Sequence, residues 1–236
     1  MDQQRFEMAV RSYWAVRSEQ QQRQQDGGKA DAGSRGAVTG GAHMDGLAEL
    51  LEETFVDAGF SAETVYRATS VELPGYFRPE KKWDLVVMHE GQLAAAIEFK
   101  SQVGPSFGNN FNNRTEEAIG SATDVWVAYR EGRFGSTRPW LGYFFLLEEH
   151  AKSTKPVVVR EPLFDVDEIF AGASYKDRYE ILCRRLVLER LYDAACFVTS
   201  SADPETSIHE PAGDLSFANF VAQVRGRAAQ LVASDS

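Results

Sequence analysis

The sequence predicts an α/β fold: a five-stranded mixed sheet flanked by helices, with one helix added at the N-terminus and more at the C-terminus. Two apolar runs, W-D-L-V-V-M (83–88) and L-A-A-A-I-E-F-K (93–100), flank the short turn H-E-G-Q and read as a β-hairpin. A third run, L-G-Y-F-F-L-L-E (141–148), is continuous enough for a strand buried on both faces. Apolar residues at helical spacing frame these strands on either side.

The 236 residues, 43% hydrophobic and 25% charged, suffice for one substantial core, so a single domain is expected over 1–236. Residues 1–26 predict an N-terminal helix, with Phe6, Val10, Tyr13, Trp14 and Arg17 at helical spacing before a glutamine tract. Residues 27–43 form a Gly-rich loop, a connector or a segment that orders on binding. The core is expected over 44–150. Met44, Leu47, Leu50, Leu51, Phe55 and Ala58 mark one face of a helix ending near Gly59, and residues 62–73 read as a first strand closed by L-P-G-Y. After the hairpin, polar residues 104–113 lead into a helix near 114–122, and D-V-W-V-A-Y-R (124–130) with 141–148 completes the sheet. From 160 to 236 the pattern predicts a helical extension, through Tyr179, Leu182, Cys183, Leu186, Val187, Leu191 and Ala194 and again over 215–231, with D-P-E-T (203–206) as a loop. These helices either enlarge the core or build a subunit interface.

A net charge of -10 argues against a chain that coats nucleic acid through bulk electrostatics. The charge is uneven. Acidic residues outnumber basic ones 10 to 6 over 1–60 and 13 to 7 over 161–236, but the two balance at 12 each over 61–160. Any cationic groove therefore belongs to the middle of the chain. No apolar stretch approaches the roughly 20 residues of a membrane span. The opening M-D-Q-Q-R-F-E carries no apolar signal region, so a cytoplasmic protein is expected. Cys183 and Cys196 are expected as buried free thiols.

In the strand ending at Lys100, residues 93, 95, 97 and 99 are apolar and point one way, which sends Glu98 and Lys100 to the other face. A hairpin turn centred on Gly91 sets Asp84 opposite Glu98; a slip of one residue is the alternative. Opposed carboxylates repel unless a cation intervenes. Hard oxygen ligands without histidine or thiolate favour Mg²⁺ over zinc. The chemistry that follows is phosphodiester hydrolysis, with Lys100 orienting the attacking water or stabilising negative charge.

An Asp, 13 intervening residues and Glu-x-Lys, set within helix, three strands, helix, two strands, resemble the PD-(D/E)-x-K nuclease core. Longer segments resemble the XhoI family of type II restriction endonucleases: G-G-A-H-M-D-G-L (40–47), W-D-L-V-V (83–87), I-E-F-K-S-Q-V-G-P-S-F-G-N-N-F-N-N-R (97–114) and E-E-A-I-G-S-A-T-D (116–124). The likeness extends over nearly the whole chain. It implies Asp84, Glu98 and the Phe99 backbone carbonyl as ligands of Mg²⁺, and Lys100 as the catalytic lysine. Trp83 stands where the signature has proline. The resemblance further implies cleavage of double-stranded DNA at 5′-CTCGAG-3′ after the first C, leaving 5′ overhangs with 5′-phosphate ends, by a homodimer. A separate DNA methyltransferase would protect the host, since this chain shows no modification domain.

Asparagine suits adenine and arginine suits guanine, so Asn109, Asn110, Asn112, Asn113 and Arg114 are expected to read bases, with turn formation as the alternative role for the asparagines. Lys81 and Lys82, with Arg78, Arg130, Arg133 and Arg138, are expected at phosphates or in solvent. Gln102 lies on the Glu98 face and reaches substrate or water. Glu49 is a further carboxylate on the first core helix, although its helical position favours solvent, and His43 is a structural or DNA-contacting residue. Two rival readings use the same core: a structure-specific nuclease of the resolvase or repair type, and a catalytically silent DNA-binding module. Retention of Asp84, Glu98 and Lys100 together argues against the silent module.

Overall fold

A computed structural model describes residues 3–26, 42–160, 163–202 and 207–233. The predicted Gly-rich loop, apart from its last two residues, and the D-P-E-T loop lie outside the described residues. Helix α1 (Gln3–Asp26) and helix α2 (Asp45–Asp57) precede strand β1 (Val65–Arg67) and a small hairpin of β2 (Glu72–Pro74) and β3 (Glu80–Lys82). Strands β4 (Leu85–His89) and β5 (Gln92–Gln102) lead to helix α3 (Phe107–Arg130), β6 (Trp140–Glu148) and the short α4 (Ala151–Thr154). Helix α5 (Tyr175–Leu188), β7 (Ala194–Ser200), β8 (Ile208–His209) and α6 (Phe217–Ala233) complete the order. Six strands form one mixed sheet in the order β1-β4-β5-β6-β7-β8, parallel at β5/β6 and β6/β7 and antiparallel elsewhere.

Each face of this sheet has its own core. Phe6, Val10, Leu47, Leu51 and Phe55 from α1 and α2 join Phe220 and Val224 of α6 over Ile97, Phe144 and Cys196. On the opposite face, Ala118, Ala122 and Val125 of α3 and Tyr179, Leu182 and Leu186 of α5 pack on Ala96, Tyr143, Phe145 and Phe197. Glu98 lies on this second face, between two layers that exclude water.

The β4–β5 turn is tight because Glu90 (φ 47°) and Gly91 (φ 74°) both take the left-handed conformation that a two-residue hairpin loop of matching twist requires. The turn pairs His89 with Gln92 and Met88 with Leu93; from Val87↔Ala95 to Leu85↔Ile97 the register is offset by one residue, to the one expected from a turn centred on Gly91, and its next step sets Asp84 opposite Glu98. A bulge between Val87 and Met88 leaves Ala94 as an extra residue on β5. It reverses the alternation, so Leu93 joins the α3/α5 face while Ala95, Ile97 and Phe99 face α1, α2 and α6.

The structure corrects four expectations. The strand predicted over 62–73 is broken at Ala68 (φ 66°) and Ser70 (φ 57°), leaving β1 and, in a separate hairpin, β2. Residues 124–130 are helix, not strand: Ala118, Ala122 and Val125 are buried at helical spacing, and the chain meets no terminator until Gly132 (φ 78°). The helix also begins earlier, so Asn109–Arg114 lie on its first turns and not in a loop. Beyond 160 the chain is not wholly helical; Arg190 (φ 56°) ends α5, and the fully buried A-A-C-F-V-T-S becomes β7, which with β8 raises the sheet from five strands to six. Leu182, Leu186, Phe217, Phe220, Val221 and Val224, expected as a possible subunit interface, are consumed by the monomer core. Cys183 and Cys196 are free and buried, as expected. Among the described residues no helix is long and apolar enough to cross a membrane.

Candidate active site

Strand alternation places Glu98, Lys100 and Gln102 on one face of β5, in register with Tyr143, Phe145 and Leu147 of β6. Asp84 enters from the residue before β4. Its Oδ2 accepts the Phe99 amide at 2.7 Å, which anchors the carboxylate against the strand that carries Glu98 and Lys100. Because a strand residue's N–H and C=O project to the same edge, the Phe99 carbonyl opens toward Asp84 as well.

Glu98 is 1% exposed, so its charge must be paired. Lys100 Nζ lies 2.5 Å from Glu98 Oε1 and Lys81 Nζ 3.1 Å from the same oxygen. The Tyr192 hydroxyl reaches Glu98 Oε2 at 3.4 Å and the Ala118 carbonyl at 3.2 Å, linking the carboxylate to α3. Burial pushes the Glu98 carboxyl upward, but Lys100 and Lys81 outweigh it and hold the group below its ordinary range. Asp84 is raised, chiefly by burial, with Lys100 and the Phe99 amide opposing and Glu98 adding to the rise. Burial lowers the Lys81 ammonium, whereas Glu98 and Asp84 carry Lys100 above its ordinary value against its own burial.

Lys81, expected at phosphates or in solvent, turns toward Glu98. Its side chain is 14% exposed and its Nζ lies 4.2 Å from the centre of the buried Trp83 ring, a cation–π contact. Trp83 is thus a platform for a lysine. The hairpin that carries Lys81 is held by Asp124 of α3, whose Oδ1 accepts the amides of Tyr76 (2.7 Å) and Phe77 (2.9 Å) and whose Oδ2 accepts Arg78 Nε at 2.6 Å. A Cβ on Gly75 would fall 2.5 Å from Asp124 Oδ2, so this turn admits no side chain there. Arg78 is accordingly a structural tie. Arg138 is likewise engaged, by Asp193 at 2.6 Å and over the Trp126 ring at 4.2 Å.

Other predicted residues fall at varied distances from this centre. Gln102 is buried; its Oε1 accepts the Tyr179 hydroxyl and its Nε2 has no hydrogen-bond partner among the described residues. Arg114 is half-buried, pairs with Glu117 at 2.5 Å and acts electrostatically on Lys100 and His43. Asn109, Asn112 and Asn113 project from the first turns of α3 as exposed side chains, with Asn110 half-buried beside them. Lys82, Arg130 and Arg133 are exposed. His43 is 9% exposed, packs edge-on against Tyr13, and its pKa falls to about 4 through burial and the nearby charges of Arg17 and Arg114. Glu49 is exposed, in the electrostatic neighbourhood of Arg5 and Asp45, and is not brought to the Asp84–Glu98 pair.

The donors fit a hard divalent cation: two carboxylates and a carbonyl, with no thiolate or imidazole among them. Among the described residues, no group of three or more His, Cys, Asp or Glu side chains assembles a closed metal cage. Such a donor set would leave coordination positions to water and substrate oxygens.

The sequence profile described as restriction endonuclease XhoI matches residues 23–209, which span every residue of this cluster. The chain belongs to the XhoI family of restriction endonucleases. It is 50% identical over 199 residues to the type II restriction enzyme BstVI of Geobacillus stearothermophilus, covering 81% of this chain and 89% of that one. It is 43% identical over 185 residues to the type II restriction enzyme XhoI of Xanthomonas vasicola, covering 77% and 74% respectively. It is also 48% identical over 158 residues to AbrI of Azospirillum brasilense, covering 66% and 71%. No solved structure matches the chain. Within this XhoI-family chain, sequence reasoning missed Tyr192, Tyr179 and Asp124. Tyr192 lay in a stretch read as continuous helix; Asp124 closed a quoted motif, and its isolated charge before an apolar run was the available signal.

Proposed function

We propose that this XhoI-family chain is a Mg²⁺-dependent type II restriction endonuclease that cleaves double-stranded DNA at 5′-CTCGAG-3′ after the first C, leaving 5′-phosphate and 3′-hydroxyl ends. The observation that carries the chemistry is the gathering of Asp84, Glu98 and Lys100 on one face of adjacent strands, with Lys100 held 2.5 Å from Glu98. The site sequence and cut position follow from the family resemblance.

Asp84, Glu98 and the Phe99 carbonyl would hold the Mg²⁺, which when bound lowers the pKa of a coordinated water and offsets charge on the phosphate. Glu98 positions Lys100 through their 2.5 Å ion pair. Lys100 then orients the attacking water and neutralises charge as the water oxygen bonds to phosphorus and the bond to the 3′ oxygen breaks. The buried phenols of Tyr143 and Tyr192, kept protonated chiefly by burial, leave no competing base beside Glu98. Exposed Asn109, Asn112 and Asn113 on the first turns of α3 supply amides suited to base edges, while Arg114 lies close enough to Lys100 to perturb it.

A palindrome offers two identical half-sites and two scissile phosphates, so the reading calls for a homodimer with one cluster per strand, and for a separate methyltransferase in the host. Digestion of unmethylated plasmid DNA with Mg²⁺, followed by sequencing of the ends, tests it. Fragments ending at C↓TCGAG support the reading. No cleavage, cleavage undiminished by EDTA, or preference for branched over linear DNA contradicts it.

A further inference from the structure

We propose that Lys81 is a second catalytic lysine, which balances Glu98 while the divalent cation is absent and faces the scissile phosphate once the cation is bound. The inference rests on the nuclease reading above and adds a residue to it. Three observations separate Lys81 from an ordinary surface lysine. Its Nζ lies 3.1 Å from Glu98 Oε1, the same oxygen that Lys100 engages. Its stem is buried to 14% exposure against the Trp83 ring, while the adjacent Lys82 is exposed. Its hairpin is clamped to α3 by the three donors that converge on Asp124, so the ammonium is delivered to Glu98 by construction.

Charge balance gives the placement a function. Asp84 and Glu98 contribute two negative formal charges and Lys81 and Lys100 two positive ones, so these four side chains sum to zero. A divalent cation raises that sum to a double positive charge, which matches the doubly negative phosphorus centre of the hydrolytic transition state. Without Lys81 the sum is negative, and with the cation it is a single positive charge. Loss of Lys81 should therefore strengthen cation binding and weaken catalysis, whereas a purely structural role would weaken both.

The test is made on the Lys81→Met protein. Titration calorimetry with Mn²⁺ alone, without DNA, reads cation affinity, and single-turnover cleavage of a CTCGAG duplex in saturating Mg²⁺ reads the chemical step. The expected result is cation affinity increased by roughly tenfold together with a cleavage rate lowered by roughly 100-fold. Lys81→Arg should return the affinity toward wild type. Weaker Mn²⁺ binding together with slower cleavage, or both unchanged, overturns the proposal. Should Lys81→Met fail to fold, the same pair of measurements on Lys81→Gln decides in the same way. Wild-type protein that does not cleave would instead contradict the nuclease reading itself.

Discussion

The Phe99 amide donates to Asp84 Oδ2 at 2.7 Å, tying β5 to the carboxylate that faces it. This bond lies one residue from both Glu98 and Lys100, so it helps hold the Asp84 carboxylate beside them. Asp84→Asn keeps an oxygen acceptor for that amide while removing the charge. The variant is expected to fold, bind cognate DNA, and cleave roughly 100-fold more slowly or worse. Gel-shift binding in Ca²⁺ alongside cleavage in Mg²⁺ checks it; full activity would remove Asp84 from the mechanism.

Asp124 carries a different load. It accepts two backbone amides and the Arg78 guanidinium, and it is 2% exposed. Asp124→Ala leaves those donors without a partner and should cost about 3 kcal/mol of stability. Urea denaturation measures this. A loss under about 0.5 kcal/mol, the level of an ordinary surface substitution, would show that the β2–β3 hairpin is not held as described.

Arg114 lies on the second turn of α3, close enough to Lys100 to perturb it. If it reads guanine, Arg114→Ala should cost about 1–3 kcal/mol of cognate binding and relax discrimination at one base pair per half-site. Binding to single-substituted duplexes checks it. Equal weakening for every sequence would assign it to phosphate, and no change in binding would remove it from the interface.

His43 predicts a pH effect. The unfolded ring takes up a proton near its ordinary value of 6.5, but the folded ring only near 4, so stability is full above 6.5 and is lost as pH falls toward 4. With allowance for solvent around the ring, the loss between pH 7 and pH 5 should be about 1 kcal/mol. Comparing the pH dependence of Tm for wild type and His43→Phe isolates it. Parallel curves would contradict the buried, neutral histidine.

Glu98 and Lys100 were legible in the sequence because strand alternation fixes which side chains share a face, and Asp84 falls opposite Glu98 because the bulge offsets the register of the two-residue turn. Leu93 was placed on the wrong face, since a bulge inserts one residue and no local signal marks it. The boundary between helix and strand was less legible where both patterns fit: V-W-V-A-Y suits a strand by composition, yet its neighbours continue a helix. Lys81 could not be placed, because which way a hairpin lysine turns depends on Trp83 and Asp124, which meet it only in the folded chain.

Single-turnover cleavage of a CTCGAG duplex by the Glu98→Gln protein tests the central claim most directly, because that claim assigns hydrolysis to a buried carboxylate ion-paired with two lysines. Glutamine keeps the volume of Glu98 and removes its charge. A protein that binds the duplex in Ca²⁺ as wild type does, yet cuts roughly 100-fold more slowly or worse in Mg²⁺, is the predicted result. Cleavage at the wild-type rate by a folded Glu98→Gln protein would contradict the account.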